Sequence, residues 1–264
     1  MTRWRFTARE VVCIAVLCGK EKLYGIPDPF ASIPQEKRFS AMQSTMNDLL
    51  DEQILEMNFA GAVSVREESF WLSEFVCNCE SCMTVTLRSS ALGEQNSILW
   101  KKGDKLLMAE AEEGQYQFSF ADASFVRSLV RSISFGCAAA VPLQETVIPR
   151  VALRRAKRFF SKGRTEDALR LLRQNGAGGS AVSAVADGIT GELRYTLVRL
   201  VEVCGKEHTQ REVSYLSGKN IVLALEEQWL NLTACVKFIS VDSAEPASIL
   251  AAWTEDFLQR ETKG

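Results

Sequence analysis

The stretch ILWKKGDKLLMAEAE, residues 98–112, has the pattern of a strand, a glycine turn and a second strand. It aligns without gaps on VSYLSGKNIVLALEE, residues 213–227, much later in the chain. Only three aligned pairs are identical: Gly103 with Gly218, Ala109 with Ala224 and Glu112 with Glu227. The shared alternation of apolar and polar residues, more than the identity, predicts one β-hairpin in each half of the chain.

The likeness extends outward from the two hairpins. QFSFAD, residues 117–122, matches KFISVD, residues 237–242, after an expansion of five residues' worth of loop, since the offset between the copies rises from 115 to 120. Each segment ends in an aspartate that can begin a helix. Upstream, capping patterns predict helices that start at Ser40 and Ser64 in the first half and at Thr165 in the second. The predicted order in each copy is helix, helix, strand, hairpin, strand, helix.

Repeats of about 120 residues are too long for a solenoid, whose periods run to about 50 residues. Two copies of an α+β unit can join their antiparallel strands into one sheet across a pseudo-two-fold axis. The junction falls near GCAAAVPLQETVIP, residues 136–149, where two prolines interrupt any helix. The sequence therefore predicts an internally duplicated α+β fold with a central antiparallel sheet: a single domain, 1–264, made of structural repeats 1–140 and 141–264.

The composition is that of an ordinary soluble globular protein. The 264 residues are 47% hydrophobic and 24% charged, and the formal net charge is -2. This near balance gives no global reason to bind nucleic acid or an anionic membrane, so neither is expected as a partner. Eight cysteines without the spacing of a disulfide scaffold indicate free thiols in a reducing cytoplasm.

The N-terminal segment allows a second interpretation. Three arginines precede VVCIAVLC, residues 11–18, which is the outline of an export signal. Against that interpretation, Glu10 adjoins the apolar run, and Leu17 stands where a lipoprotein cleavage site needs a small residue. A cytoplasmic helix that begins with a capping box between Thr7 and Glu10 is the preferred interpretation.

This order of elements resembles the EspG-like chaperones of type VII secretion systems. The resemblance rests on LYGIPDPF (23–30), on LLDEQILEMNFAGAVSV (49–65) followed by a helix and a strand, and on the paired hairpins WKKGDKLLM and LSGKNIVLAL. It covers nearly the whole chain and implies a central antiparallel sheet, two helical bundles and quasi-two-fold symmetry. It also implies a non-enzymatic cytoplasmic chaperone that binds a helical secretion substrate of the WXG, LXG or PPE-like kind and keeps it export-competent.

The composition sets the chain apart from the actinobacterial members of that family. Compared with those members it is richer in Lys, Glu and Cys and poorer in Ala, Gly and Pro, which suggests a distant branch in low-GC Gram-positive bacteria. The resemblance implies a substrate protein encoded nearby, with no cofactor. The chain is expected to be a monomer when substrate is bound, or a weak homodimer.

Two segments are candidate partner-binding surfaces. In EEQWLNLTAC, residues 226–235, Trp229, Leu230 and Leu232 lie in the longer hairpin of the second half, and tryptophan is common at binding hot spots. The alternative is that Trp229 and Leu232 belong to a longer strand and face the core.

The second candidate is SSALGEQNS, residues 89–97, a polar, glycine-containing loop predicted to be mobile and to join two strands. The resemblance implies that this loop contacts the substrate. Its candidate partner-binding residues are Leu92, Glu94, Gln95 and Asn96. The alternative is an ordinary hairpin connection.

Cys77, Cys79 and Cys82 form a CxCxxC cluster, the basis of an alternative function as a metal- or thiol-dependent protein. At about 100° per residue on one helix, Cys79 and Cys82 would share a face with Phe75 while Cys77 points away, which favours packing over converging ligands. His208 is the only histidine, and no second paired motif supplies a fourth ligand. No catalytic, cofactor or metal site is predicted.

A basic segment, PRVALRRAKRFFSKGR (149–164), supports a weaker alternative, a nucleic-acid-associated protein. Arg150, Arg154 and Arg158 recur at helical spacing, and no acidic residue follows until Glu166. The alanines and phenylalanines between them predict an ordinary amphipathic helix whose basic side is solvated.

Overall fold

The computed structural model describes residues 4–91, 93–133, 135, 145–204 and 207–259, with every side chain in these ranges except those of residues 68 and 180. The described residues form eight helices: α1 (Ala8–Leu17), α2 (Gln35–Asp51), α3 (Glu67–Asn78), α4 (Ala123–Arg131), α5 (Arg150–Phe160), α6 (Thr165–Gln174), α7 (Gly179–Thr190) and α8 (Ala244–Gln259). They also form twelve strands: β1 (Trp4–Thr7), β2 (Leu55–Met57), β3 (Val63–Val65), β4 (Ser81–Ser89), β5 (Gly93–Lys102), β6 (Lys105–Glu112), β7 (Gln115–Ala121), β8 (Thr146–Pro149), β9 (Arg194–Cys204), β10 (Glu207–Ser217), β11 (Val222–Leu230) and β12 (Thr233–Ser240).

Ten of these strands form one antiparallel sheet in the order β1-β7-β6-β5-β4-β9-β10-β11-β12-β8. The order is symmetrical about the central β4–β9 pair: reading outward, each half contributes four strands and then a short edge strand that leads directly into a helix. The predicted α+β class with a central antiparallel sheet is confirmed. The remaining two strands, β2 and β3, form a separate hairpin.

The strand pairing shows that the ungapped sequence alignment of residues 98–112 on 213–227 is wrong by one residue. The ladders across β5, β4, β9 and β10 place Trp100 and Leu216 on the same face of the sheet. The ungapped alignment would equate Trp100 with Tyr215, which packs in the core on the opposite face. Because side chains of a strand alternate between faces, burial fixes the register, and the equivalent of Trp100 is Leu216.

Helices cover both faces of the sheet. On one face, a bundle of α1–α3 packs over the first half around residues such as Trp100, and a bundle of α5–α7 packs over the second half around Leu172. On the other face, α4 and α8 contact each other and bury the centre of the sheet, including Val85 and Val198. The division into repeats 1–140 and 141–264 stays a prediction, because its boundary falls at residues outside the described ranges.

The helix starts follow the predicted capping residues only in part. At Thr7 the capping box is present: Thr7 Oγ1 accepts from the Glu10 amide at 3.3 Å, and Glu10 Oε2 accepts from the Thr7 amide at 2.6 Å. α2 begins ahead of Ser40, directly after a proline that has the backbone geometry of a helix start. Ser64 lies in β3, and Thr165 is the first residue of α6 rather than its cap.

Candidate partner-binding site

The β11–β12 hairpin ends in a two-residue turn that displays apolar side chains. Leu230 and Thr233 form its last pair, which leaves Asn231 and Leu232 as the turn. Trp229 is 75% exposed, Leu230 48% and Leu232 95%. These three residues are named the apolar tip below. The interpretation in which Trp229 and Leu232 face the core is therefore wrong, and exposed apolar side chains concentrated at one hairpin end are typical of an interaction surface.

Leu232 adopts a backbone conformation that side chains with a Cβ avoid. Asn231 and Leu232 have φ angles of 48° and 63°, as in the two-residue hairpin turns that favour Asn followed by Gly. Asparagine tolerates this region, but a leucine there costs roughly 1–2 kcal/mol because its Cβ crowds the following carbonyl. The Leu232 side chain is exposed, so it gains no free energy from burial that could offset this conformational cost.

The hairpin is longer than its counterpart in the first half. The buried residues Leu107 and Phe118 are 11 positions apart, whereas their equivalents Leu223 and Phe238 are 15 apart, a difference of four residues. The expansion is therefore four residues, not the predicted five, and it is paired strand at the end of the hairpin instead of loop. This extra length carries the apolar tip beyond the core.

The second predicted segment is strand rather than loop. Glu94, Gln95 and Asn96 belong to β5 and pair with β4, while Leu92 lies outside the described residues. Together with three further glutamates of β6 and the turn after it, these three residues line a groove of about 480 Å³. The predicted loop is thus the polar end of a regular hairpin.

Local hydrogen bonds hold this hairpin in place. Asn96 Oδ1 accepts from the Thr86 hydroxyl at 2.6 Å, and Asn96 Nδ2 donates to Glu94 Oε1 at 2.9 Å. The amide and the hydroxyl of Ser90 both donate to the Gly191 carbonyl at 3.0 Å. The end of the hairpin is therefore tied to the end of α7, and the predicted loop is instead a hydrogen-bonded strand pair, while the mobility of this segment stays a prediction.

The two predicted segments lie at opposite ends of the sheet. β9 is antiparallel to β4, and β10 and β11 each reverse direction again, so β11 ends where β4 begins. Glu94, Gln95 and Asn96 lie at the other end, where β4 finishes. The structure does not bring the two predicted surfaces together.

Cys77, Cys79 and Cys82 are all buried. Cys77 lies in the last turn of α3 and Cys79 follows that helix, but Cys82 lies in β4, so the prediction that placed all three on one helix is wrong. Burial raises the pKa of Cys77 and of Cys79 to about 12 and that of Cys82 well above its ordinary value. The thiols stay protonated at neutral pH, unlike those of nucleophilic cysteines.

No group of three or more His, Cys, Asp or Glu side chains within the described ranges is arranged to hold a metal ion.

The basic helix α5 is amphipathic, as predicted. Ala152 and Ala156 are buried against α6 and α7, whereas Arg154 and Arg158 are exposed. Arg150 forms an ion pair with Glu227 of β11. Most of the basic residues of α5 thus form its solvated side, and one of them ties the helix to the long hairpin.

Sequence reasoning missed an opening in the sheet between β10 and β11. These strands pair over only four residues each, from Ser214–Leu225 to Ser217–Val222. Residues 207–213 of β10 and 226–230 of β11 continue as strands without pairing to each other. In the first half, the β5–β6 ladder reaches from Lys102–Lys105 to Asn96–Ala111 and leaves only residues 93–95 and 112 beyond it.

Two like charges would face each other just beyond the point where the second ladder stops. If the β10–β11 register continued, Glu212 would lie directly opposite Glu227, a destabilising pair. Each carboxylate is instead paired with an arginine: Glu212 Oε2 accepts from the Arg199 guanidinium at 2.6 Å, and Glu227 pairs with Arg150. These two glutamates are visible in the sequence, but their opposition becomes apparent only once the register is known.

Further exposed apolar side chains lie in the first half. Phe39, 77% exposed, and Val16 border a groove of about 790 Å³ between α1 and α2. Phe59 is exposed in the β2–β3 connection, where Asn58 Oδ1 accepts from the amides of Ala60 and Ala62. Neither feature was predicted from the sequence.

Within the described residues, no helix has both the length and the apolar character needed to cross a lipid bilayer.

Comparison with known proteins gives a likeness among solved structures. No family model matches the chain, and no curated protein matches it. Among solved structures, the chain is similar to the type VII secretion system chaperone EspG5 of Mycobacterium tuberculosis, solved in complex with a PE25-PPE41 dimer. The match has a TM-score of 0.49 and 13% sequence identity and covers 100% of this chain and 98% of that chain.

Proposed function

We propose that this protein is a cytoplasmic chaperone of a type VII secretion system, which binds a helical substrate protein and keeps it export-competent. The observation that carries the proposal is the apolar tip, where Trp229, Leu230 and Leu232 are exposed together at the end of an extended hairpin. The order of elements, which resembles the EspG-like chaperones, supports the class of secretion system.

Recognition at the tip rests on apolar surface. Trp229 offers a large aromatic face with few rotatable bonds, which is the kind of side chain that dominates protein interfaces. A substrate that covers the tip with its own apolar helical end removes both surfaces from water. The chaperone thereby protects a surface of the substrate that would otherwise promote aggregation.

The geometry restricts how other residues take part. The end of the β4–β5 hairpin, with Leu92, Glu94, Gln95 and Asn96, contacts the same substrate only if that substrate extends to the opposite end of the sheet. The proposed substrate is a WXG, LXG or PPE-like protein encoded nearby, in the low-GC Gram-positive branch, bound by one chaperone monomer.

Co-expression with each small helical protein encoded beside this one, followed by affinity purification, tests the proposal. One neighbour is expected to co-purify, and Trp229→Ala is expected to weaken its binding at least about tenfold, as for an interface hot spot. Phe39→Ala is the matched control, since it removes an aromatic ring of similar exposure, 77% against 75%, from another surface.

The control is expected to leave binding unchanged. If no neighbour binds, or if Phe39→Ala and Trp229→Ala weaken binding equally, the proposal fails.

A further inference from the structure

The unpaired part of β10 presents a regular row of main-chain hydrogen-bonding groups. Its other side pairs with β9 along the whole strand, Glu207–Ser217, which holds it in an extended conformation. Gly218 N donates to Ile221 O at 2.9 Å on the β11 side. Because main-chain groups of an antiparallel strand alternate between its two sides, His208, Gln210 and Glu212 direct theirs towards the unpaired side.

Such an edge is a template for an added strand, and sheets normally protect their edges from one. Here the side chains on the edge are exposed or half-buried, so they leave it accessible. An extended segment is the ligand that matches this row, because a helix uses its own main-chain groups internally.

The charges beside the unpaired parts of β10 and β11 determine which extended segment binds best there. Four glutamates lie along the two strand segments that do not pair: Glu207 and Glu212 on β10, and Glu226 and Glu227 on β11. Glu212 and Glu227 each meet an arginine, whereas Glu207 and Glu226 are exposed and take part in none of the ion pairs of the described residues.

The nearby cation of β10 does not balance these carboxylates. Arg211 is held by Glu202 at 2.9 Å and by Asp256 of α8 at 3.0 Å.

Lys22 Nζ lies 2.9 Å from His208 Nδ1, on the opposite face from Glu207. Lys237 lies across from Glu226 but pairs with Glu145 at 3.0 Å. On the face that carries Glu207 and Glu226, the opening therefore favours a ligand with positive charge.

We propose that residues 207–213 of β10, the open edge, bind an extended basic segment of a partner protein as an added antiparallel strand. At about 3.3 Å per residue, about seven residues of the ligand cover this edge. Its main chain bonds to His208, Gln210 and Glu212, and its lysine or arginine side chains reach Glu207 and Glu226. This site borders the apolar tip, because Trp229 and Leu230 end the facing strand β11, but it takes a strand, not a helix.

Amide hydrogen exchange of the full chain, followed by NMR, tests whether the edge is open. The amides of His208, Gln210 and Glu212 are expected to exchange at least about tenfold faster than those of Thr209, Arg211 and Val213, which face β9. Equal protection of both sets would mean that the edge is closed, and the proposal would be overturned.

The ligand is tested with a capped peptide of about seven residues that alternates Lys and Val. It is expected to slow exchange of the three exposed amides at least about tenfold, whereas the same peptide N-methylated at alternate amides, or with Glu in place of Lys, is not. Equal protection by either control peptide, or none by the Lys peptide, overturns the proposal.

Two sets of variants complete the test. Glu207→Gln with Glu226→Gln is expected to weaken peptide binding several-fold, while Glu110→Gln with Glu112→Gln on β6 is a matched control without effect. Equal effects of the two pairs would contradict a local charge preference. Leu232→Gly, in the turn beyond β11, is expected to leave the peptide effect intact and to weaken helical-substrate binding, so failure of this site and failure of the proposed helical-substrate site are distinguishable.

Discussion

The β6–β7 and β11–β12 hairpins hold equivalent places in the two halves of the sheet, but their turns differ in chemistry. The first closes with Glu113 and Gly114, the second with Asn231 and Leu232, and all four have positive φ. Glycine accepts this geometry without a steric penalty, whereas leucine does not. The second half also gives up pairing between β10 and β11 that the first half keeps between β5 and β6. Of the two hairpins compared, the second therefore carries the features that lower stability, and it is where we place the function.

The largest expected difference between the two halves is in the free energy of unfolding when Trp100 or Trp229 is replaced by alanine. Trp100 is fully buried, stacks on Phe118 with ring centroids 5.8 Å apart, and donates from Nε1 to the Tyr24 carbonyl at 2.8 Å. Trp100→Ala is expected to lower the free energy of unfolding by about 3–5 kcal/mol. Trp229→Ala should change it by no more than about 0.5 kcal/mol, as for a surface position.

Denaturant unfolding of both variants measures this difference. If Trp229→Ala destabilised the protein as much as Trp100→Ala, the apolar tip would have to be packed in solution, and its role as a displayed surface would be lost.

A reciprocal exchange of residues tests why one ladder opens and the other does not. At the place equivalent to Glu212 and Glu227, the first half has Asn96 paired with Ala111. Glu212→Asn with Glu227→Ala is expected to extend the β10–β11 ladder and slow exchange of the residue 212 amide roughly fivefold, or about 1 kcal/mol. Asn96→Glu with Ala111→Glu should open the end of the β5–β6 ladder and speed exchange of the residue 96 amide to a similar extent.

Amide exchange by NMR records both results. Unchanged rates in both double variants would show that like charge does not determine where the β10–β11 ladder ends.

Local chemistry made much of the fold predictable from the sequence. The capping box at Thr7 and the aspartate cap at Asp122, whose Oδ1 accepts from the Phe125 amide at 2.8 Å, depend only on neighbouring residues. The two hairpins were likewise predictable because alternation and turn residues lie close together in the chain. The four-residue edge strands β1 and β8 were missed, since such short segments become strands only through partners far along the chain.

The candidate site was predictable in its residues but not in its placement. Trp229, Leu230 and Leu232 were identified, yet apolar alternation reads the same whether a strand faces the core or extends beyond it. Their exposure follows from the extra length of the hairpin, which depends on pairing.

The one-residue error in the alignment of the two hairpins also depends on tertiary structure. Aligning Gly103 with Gly218 equates Trp100 with Tyr215, and only the burial of Trp100 and Leu216 on the same face of the sheet shows that these two are equivalent.

The central claim, that the second hairpin gives up stability to display an apolar surface, is tested most directly by Leu232→Gly. Glycine relieves the strained φ of 63° and is expected to raise the free energy of unfolding by up to about 1 kcal/mol. The same change removes an exposed apolar side chain and is expected to lower affinity for the co-purifying helical partner several-fold. Gly114→Leu, the matched control, should lower stability by about 1 kcal/mol and leave affinity unchanged. A Leu232→Gly protein that is more stable and binds its partner as tightly as before would contradict the account.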